Sequence, residues 1–192
     1  MSKKLFLLSV LLGFCVGTNA QKDAEEYTTG QPSITITNLK KQWQLTVLFN
    51  DKSKTKPWID RNNNGKYDAG EESIKKYGIT RFKRTQPTIT IYGDMTFFSC
   101  NLNELVSVDV SKCPGLVSLY CEENQIEKLD VSKNTNLKKL YCHTNKLSEL
   151  KLPSTSGITE FYCFRNCLNE LDPSVMSKLQ EFYCGENNLT QL

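Results

Sequence analysis

The chain has 192 residues, enough for one or two domains, and its 24 lysines and arginines nearly balance its 21 aspartates and glutamates. The resulting formal net charge of +3 is too small to give the strongly basic surface by which proteins bind nucleic acid or an anionic membrane. We therefore expect neither class of partner.

Residues 1–20 have the pattern of an export signal. Two lysines precede an apolar run over 5–16, and the small residue Ala20 precedes a cleavage site. The run is too short for a helix that spans a bilayer, and no other segment is apolar enough to do so. We predict a signal peptide over 1–20, no transmembrane segment, and a mature protein with a net charge of +1, because cleavage removes two lysines and no acid.

Cys15 lies inside this signal and raises the alternative of lipid attachment. A bacterial lipobox requires a small residue before the cysteine, whereas Phe14 is bulky, so we expect ordinary cleavage. The mature protein is then expected to be secreted, periplasmic or displayed on the cell surface.

Residues 21–93 are predicted to form a small β-rich domain. Three segments alternate apolar and polar residues at the period of two that is typical of half-buried strands. Their apolar faces consist of Ile34 and Ile36, then Leu45, Val47 and Phe49, and later Ile89 and Ile91.

Residues 60–71 have the spacing of an EF-hand calcium loop, with Gly65 at the sharp turn. Ca²⁺ binds roughly six to eight oxygen atoms, and the loop offers them at alternating positions and at its end. The candidate ligands are Asp60, Asn62, Asn64, the backbone carbonyl of Lys66, Asp68 and Glu71. Pro57 prevents a long preceding helix, and Asn-rich turns also form without metal, so the alternative is a metal-free turn. The sequence predicts at most one weak Ca²⁺ site of the extracellular type.

Residues 94–192 contain a repeat of 21 residues. Five cysteines mark it, and an asparagine follows each of them by three positions. Apolar residues recur five and two positions before each cysteine and five and eight positions after it. The cysteines are Cys100, Cys121, Cys142, Cys163 and Cys184, and the asparagines are Asn103, Asn124, Asn145, Asn166 and Asn187. Each Leu-x-Cys segment is predicted to be a short strand with both end side chains inward. We expect the asparagines to hydrogen-bond backbone groups of their own and adjacent turns, and the second half of each unit to be extended or 3₁₀.

Seven cysteines remain after cleavage. Because five share one inward position, we expect them to be free, buried thiols that pack like small apolar side chains. Stacked residues point the same way, which suits a disulfide poorly, although the spacing of adjacent turns does not exclude one on distance alone.

The unit L-x-x-L-x-C-x-x-N-x-L resembles the leucine-rich repeat. Its length, its cysteine ladder and the Asp-Val-Ser of 109–111 and 130–132 look like the internalin-J-like repeats of bacterial surface proteins, over about 88–192. The lead-in ITIYGDMTFFSCNLNEL resembles the junction between a small β-domain and such repeats in Bacteroidetes-type secreted proteins. The resemblance implies a mainly β fold, with a right-handed solenoid of about five 21-residue turns after a small β-rich cap domain, and an adhesion or binding role. Repeat three (KLPSTSG) and repeat four (Pro173) depart from the pattern on the second half of the unit.

The residue before each cysteine should point outward, which places tyrosines in one column on the concave face. The candidate ligand-binding residues are Tyr120, Tyr141, Tyr162 and Tyr183, with Lys139, Glu160 and Glu181 on one side and His143 and Phe164 on the other. Tyrosine offers a large contact area at low entropy cost, so we predict a surface for a protein or glycan ligand, host-derived molecules included. The alternative is that the rings only stabilise neighbouring turns, in which case the array is a spacer or assembly segment of the cell envelope.

Glu160 and Glu181 should lie about 5 Å apart, one strand spacing, which is near the separation of the carboxylates in a retaining glycosidase. They are predicted on an open surface beside Lys139, without a pocket that would raise one pKa, so we expect no catalysis. The sequence stops at Leu192 in mid-repeat without a polar cover. From this we expect either self-association through the open repeat or a longer natural chain.

Overall fold

The computed structural model describes residues 30–38, 42–53, 56–68, 70–71, 74, 79–83, 86–154 and 156–191. The predicted signal peptide and Cys15 lie outside them. Within these residues the chain forms thirteen strands and one short 3₁₀ helix, η1, and none of its elements is a helix long and apolar enough to cross a membrane. The elements are β1 (Ser33–Asn38), β2 (Gln42–Phe49), β3 (Trp58–Asp60), β4 (Ile79–Lys83), β5 (Thr88–Tyr92), β6 (Met95–Ser99), β7 (Leu105–Asp109), β8 (Ser118–Tyr120), β9 (Lys128–Asp130), β10 (Lys139–Tyr141), β11 (Glu149–Lys151), β12 (Glu160–Tyr162), η1 (Pro173–Val175) and β13 (Glu181–Tyr183).

The repeats form the parallel part of a long sheet. Its strands follow the order β13-β12-β10-β8-β6, and each pairs with the next at an offset of 21 residues, so that Leu119 lies beside Leu140 and Leu140 beside Phe161. These three side chains point inward and are fully buried. Four complete turns of chain connect the five strands. The predicted mainly β leucine-rich-repeat solenoid is confirmed.

Strands from the N-terminal part continue the same sheet. β2 pairs antiparallel with β6, and β4 pairs antiparallel with β2. At the first turn, β2 occupies the place of a preceding turn, because Gln44 donates its N–H to Oδ1 of Asn103 at 2.9 Å and accepts from Nδ2 of Asn103 at 2.8 Å. The open edge of the stack is thereby covered at this end.

A second sheet joins three strands of the N-terminal part to β7 of the first repeat, in the order β3-β5-β1-β7. The apolar faces predicted for the three N-terminal strands are confirmed, because all seven of their side chains are buried. These are Ile34, Ile36, Leu45, Val47, Phe49, Ile89 and Ile91. They belong to one continuous hydrophobic core that extends through the repeats as far as Leu168 and Met176.

The asparagine ladder has the predicted contacts. Asn124 donates from Nδ2 to the carbonyls of Cys100 at 3.1 Å and Cys121 at 3.0 Å, and its Oδ1 accepts from the N–H of Leu105 at 2.9 Å. The same bonds to the cysteine carbonyls of the own and preceding turn recur at Asn145, Asn166 and Asn187. Each asparagine therefore ties two adjacent turns together.

The residue before each asparagine adopts a left-handed backbone conformation. The φ angles lie between 53° and 58° at Leu102, Glu123, Thr144, Arg165 and Glu186. Residues other than glycine rarely occupy this region, because Cβ then approaches the following carbonyl oxygen. The ladder bonds on either side hold the chain in this conformation.

The cysteines confirm the expected free thiols. All seven in the described residues are unpaired; the four ladder cysteines from Cys100 to Cys163 are buried together with Cys113, whereas Cys184 is half-buried and Cys167 is exposed. Burial raises the pKa of Cys113 to about 11 and that of Cys163 to about 12. These thiols are therefore protonated and unreactive in the folded state.

The second half of each unit is extended, as predicted, but its pairing stops early. β9 and β11 form a two-stranded parallel sheet, and β11 has no further partner in the described part of the chain. In repeat four Pro173 begins η1, and Asp172 caps it by accepting from the N–H of Ser174 at 2.9 Å. The chain turns away instead of adding a strand to β11.

Candidate functional site: the tyrosine face

Four tyrosines form one column along the parallel sheet, as the sequence predicts. The rings of Tyr120 and Tyr141 stack with centroids 4.3 Å apart and planes 3° apart, and those of Tyr141 and Tyr162 stack at 4.3 Å and 5°. Tyr183 departs from the stack, because its ring stands at 81° to that of Tyr162, and it is 56% exposed. At the other end, Phe97 meets Tyr120 edge-on at 5.1 Å. We call this column with its flanking residues the tyrosine face.

The predicted flanking column of Lys139, Glu160 and Glu181 is also confirmed by the strand register. It is bonded to the tyrosines across adjacent strands: the hydroxyl of Tyr141 donates to Oε2 of Glu160 at 2.5 Å, and that of Tyr162 donates to Glu181. The ammonium of Lys139 lies 2.7 Å from Oε1 of Glu160. Both oxygens of Glu160 are therefore occupied.

These contacts shift the protonation equilibria of the network. The ion pair with Lys139, followed by the hydrogen bond from Tyr141, holds the pKa of Glu160 below its ordinary value. Burial, followed by the bond to Glu160, raises the pKa of Tyr141, and the bond to Glu181 raises that of Tyr162. The hydroxyls stay protonated and donate, and Glu160 stays ionised and accepts.

The opposite flanking column contains His143 and Phe164, whose rings stack at 4.3 Å and 8°. The guanidinium carbon of Arg165 lies 6.0 Å from the ring of Phe164, and its Nε donates to Glu186 at 3.0 Å. Partial burial lowers the pKa of His143, so its ring is neutral near pH 7. This side of the tyrosine face is accordingly aromatic.

The structure thus assembles all nine residues predicted for the binding surface on one face of the sheet. Sequence reasoning missed the bonds that join the columns, although a signal existed. A glutamate follows the tyrosine by 19 residues in both cases, at Glu160 after Tyr141 and at Glu181 after Tyr162. It also missed the contribution of Arg165, which lies two residues after a cysteine and outside the strand.

The predicted calcium loop closes on its own hydrogen bonds. The buried carboxylate of Asp60 accepts from the N–H groups of Asn64 at 3.1 Å and Gly65 at 2.8 Å, and buried Glu71 accepts from the N–H groups of Arg61 at 2.7 Å and Asp68 at 3.0 Å. Gly65 has the positive φ of 75° that its turn requires. The first and last predicted ligands therefore lie inside one tight wrap.

The remaining predicted ligands are turned differently. Asn62 and Asn64 point their amide Nδ2 groups at Oδ2 of Asp68, at 2.7 and 2.8 Å, and these bonds lower the pKa of Asp68. Lys66 donates its N–H to Oδ1 of Asn64 at 2.8 Å. Among the described residues, no three acidic, histidine or cysteine side chains converge as a metal-binding group. Calcium binding requires the two asparagine amides to present oxygen instead, and it stays a prediction.

No protein-family model matches the chain, and no curated protein matches it at significant similarity. Among solved structures, the chain is similar to the functional domain of InlJ from Listeria monocytogenes, which is described as including a cysteine ladder. The two are 36% identical over 50% of this chain and 22% of that chain, with a TM-score of 0.47. The matched part thus spans less than a quarter of that chain's length.

Proposed function

We propose that this chain is an exported binding module, without catalytic activity, whose tyrosine face holds a protein ligand. The observation that carries the proposal is the fixed position of the tyrosines. Tyr141 is packed on both ring faces by Tyr120 and Tyr162, and its hydroxyl is bonded to Glu160. Side chains that are immobile before binding lose little conformational entropy when a partner arrives, so their contact area contributes more to affinity.

The ring geometry favours a protein over a glycan. A sugar packs its C–H groups against the electron-rich face of an aromatic ring. In the stack, neighbouring rings cover both faces of Tyr141, so this residue presents only its edge and its hydroxyl to a ligand. Edges and hydroxyls suit the backbone and side-chain groups of a protein.

The charges of the face favour a basic group on the ligand. Glu160 is neutralised by Lys139, and Arg165 is paired with Glu186. Within the described residues the carboxylate of Glu181 accepts only from the hydroxyl of Tyr162, which leaves its second oxygen available as an acceptor. A lysine or arginine of the ligand is expected at this position.

Catalysis by the two glutamates does not suit this geometry. A retaining glycosidase needs one carboxyl whose pKa is raised so that it donates a proton near neutral pH. The pKa of Glu160 is lowered by Lys139 and Tyr141 instead. Glu160 acts here as an acceptor that orients Tyr141.

The test compares the wild-type chain with a Tyr141→Ala/Tyr162→Ala variant on a panel of purified extracellular-matrix proteins and on a glycan array. We expect binding to a protein of the panel, and a loss of at least roughly tenfold in affinity in the variant, as for central aromatic residues of interfaces. The matched Tyr141→Phe/Tyr162→Phe variant keeps the stack and removes the hydroxyls, so it should lose less. Protein binding that is unchanged in the alanine variant, or binding to glycans alone, would refute the proposal.

One observation favours a structural role as the second candidate. The stacked rings and the Tyr–Glu bonds join adjacent turns of the chain, and such contacts stabilise a repeat array whether or not a ligand binds. If the array is a spacer or an assembly segment of the envelope, the alanine variant lowers the melting temperature, and attachment to host or bacterial cells persists unchanged.

A further inference from the structure

The outer edge of β11 carries backbone groups that are open to a partner. In the preceding turn, Val131 donates its N–H to the carbonyl of Lys151. Because N–H and C=O groups alternate between the two edges of a strand, Leu150 points both groups away from β9, and Leu152 points its N–H the same way. Within the described residues no backbone hydrogen bond links Leu150 or Leu152 to residues 169–175.

A groove runs beside this edge, and its volume is about 750 Å³. Its floor is apolar, because it consists of half-buried side chains that pack on the hydrophobic core: Leu150, Leu152, Leu171 and Val175. The groove exists because η1 diverts the fourth repeat at Pro173, where the second repeat has Val131 in an extended segment. An open strand edge beside an apolar floor is the arrangement that binds extended peptides by strand addition.

The charged side chains in the groove lining are both acidic. They are Glu170 and Asp172, and neither forms an ion pair with the described residues. Asp172 uses Oδ1 to cap η1, whereas Glu170 is exposed. The negative charge along an apolar floor selects lysine or arginine at alternate positions of an occupant.

We propose that this groove binds an extended peptide of alternating apolar and basic residues, which adds as a strand to the free edge of β11. The peptide backbone bonds to the N–H and C=O of Leu150 and to the N–H of Leu152. Its apolar side chains lie on the floor, and its basic side chains face Glu170 and Asp172. The site lies in a different sheet from the tyrosine face and does not depend on the function proposed for that face.

The probe is the synthetic peptide acetyl-Lys-Val-Lys-Val-Lys-amide, titrated into the isotope-labelled full chain. Amide hydrogen exchange at Leu150 and Leu152 should slow by roughly tenfold at a peptide concentration ten times its Kd, because exchange then requires release of the peptide. Two N-methylated peptides, one modified at both valines and one at all three lysines, each remove the valine or the lysine N–H donors from one edge of the probe. One of the two must fail to bind, because only one edge faces β11.

A pair of protein variants separates charge from backbone pairing. Glu170→Gln should weaken binding by roughly two- to fivefold, whereas the control Glu127→Gln, an exposed acid in another repeat, should leave it unchanged. The glutamate peptide acetyl-Glu-Val-Glu-Val-Glu-amide should bind more weakly than the lysine peptide. Unchanged exchange at Leu150 at saturating peptide, or equal binding by both N-methylated peptides, would overturn the proposal.

Discussion

Replacing Asn124 by alanine should remove a large part of the stability of the solenoid. Its Oδ1 accepts from the backbone N–H groups of Asn103 at 3.1 Å and Leu105 at 2.9 Å, and its Nδ2 donates to three carbonyls of its own and the preceding turn. Alanine leaves at least two buried N–H groups without a partner. At about 1–3 kcal/mol for each unsatisfied buried group, the expected loss is about 2–6 kcal/mol.

The position in the ladder provides an internal comparison. Asn187 holds a single backbone N–H, that of Leu168 at 3.1 Å, and it is half-buried, so water reaches its partners when the amide is removed. Asn187→Ala should therefore cost only about 1 kcal/mol. The exposed neighbour Asn188 makes no side-chain hydrogen bond that the structure describes, and Asn188→Ala should lie within about 0.5 kcal/mol of wild type.

The assay is urea unfolding of the three variants and the wild type, followed by circular dichroism under reducing conditions. Equal slopes with urea show that the denatured states are comparable and allow the free energies of unfolding to be subtracted. A loss below about 1 kcal/mol for Asn124→Ala, or equal losses for Asn124→Ala and Asn187→Ala, would refute the reasoning that the ladder satisfies otherwise orphaned backbone groups.

Three further predictions concern charge, metal and backbone strain. The pKa of Glu160, measured by NMR titration, should lie below its ordinary value and rise towards that value in Lys139→Met. Because the pKa is lower in the folded than in the unfolded state, the ion pair stabilises the fold fully above about pH 4.3, and this stabilisation is lost as the pH falls through the folded-state pKa. If loop 60–71 binds Ca²⁺, about 10 mM Ca²⁺ should raise the melting temperature by about 3–8 °C. It should also change the fluorescence of Trp58, because the ring centroids of Trp58 and Tyr67 of the loop lie 5.7 Å apart. Chelator and Mg²⁺ are the controls, and an unchanged melting temperature identifies a metal-free turn. Thr144→Gly should stabilise the chain by about 0.5–1 kcal/mol, since glycine relieves a β-branched residue at φ 55°, and a loss of stability would contradict that strain.

The repeat made most of the solenoid predictable. Residues 21 positions apart occupy equivalent places, so the strands, the asparagine bonds and the tyrosine column all follow from one spacing. The pairing of β2 with β6 does not follow, because it joins a unique segment to the first turn across about 50 residues of chain. The left-handed residues carry no sequence signal either, since Thr144 and Arg165 are ordinary side chains that the ladder forces into this conformation.

The tyrosine face was predictable as a set of residues and not as a surface. Alternation along each strand places Tyr141 outward, but whether its ring lies flat, stacks or stands on edge depends on the rings beside it. The open edge of β11 was visible only in part. Pro173 indicates a break in the fourth repeat, whereas the groove requires the path of the chain after the break.

The free thiols of the core determine how this protein is inactivated once it has unfolded. In the native state the five buried cysteines, Cys100, Cys113, Cys121, Cys142 and Cys163, are protonated and out of reach of oxidants. Unfolding exposes them together, at ordinary pKa, and a disulfide then formed between cysteines of non-adjacent turns is incompatible with the stack. In an oxidising medium, irreversible oxidation therefore competes with refolding after each global opening. The lifetime of the protein is then set by its unfolding rate rather than by its equilibrium stability.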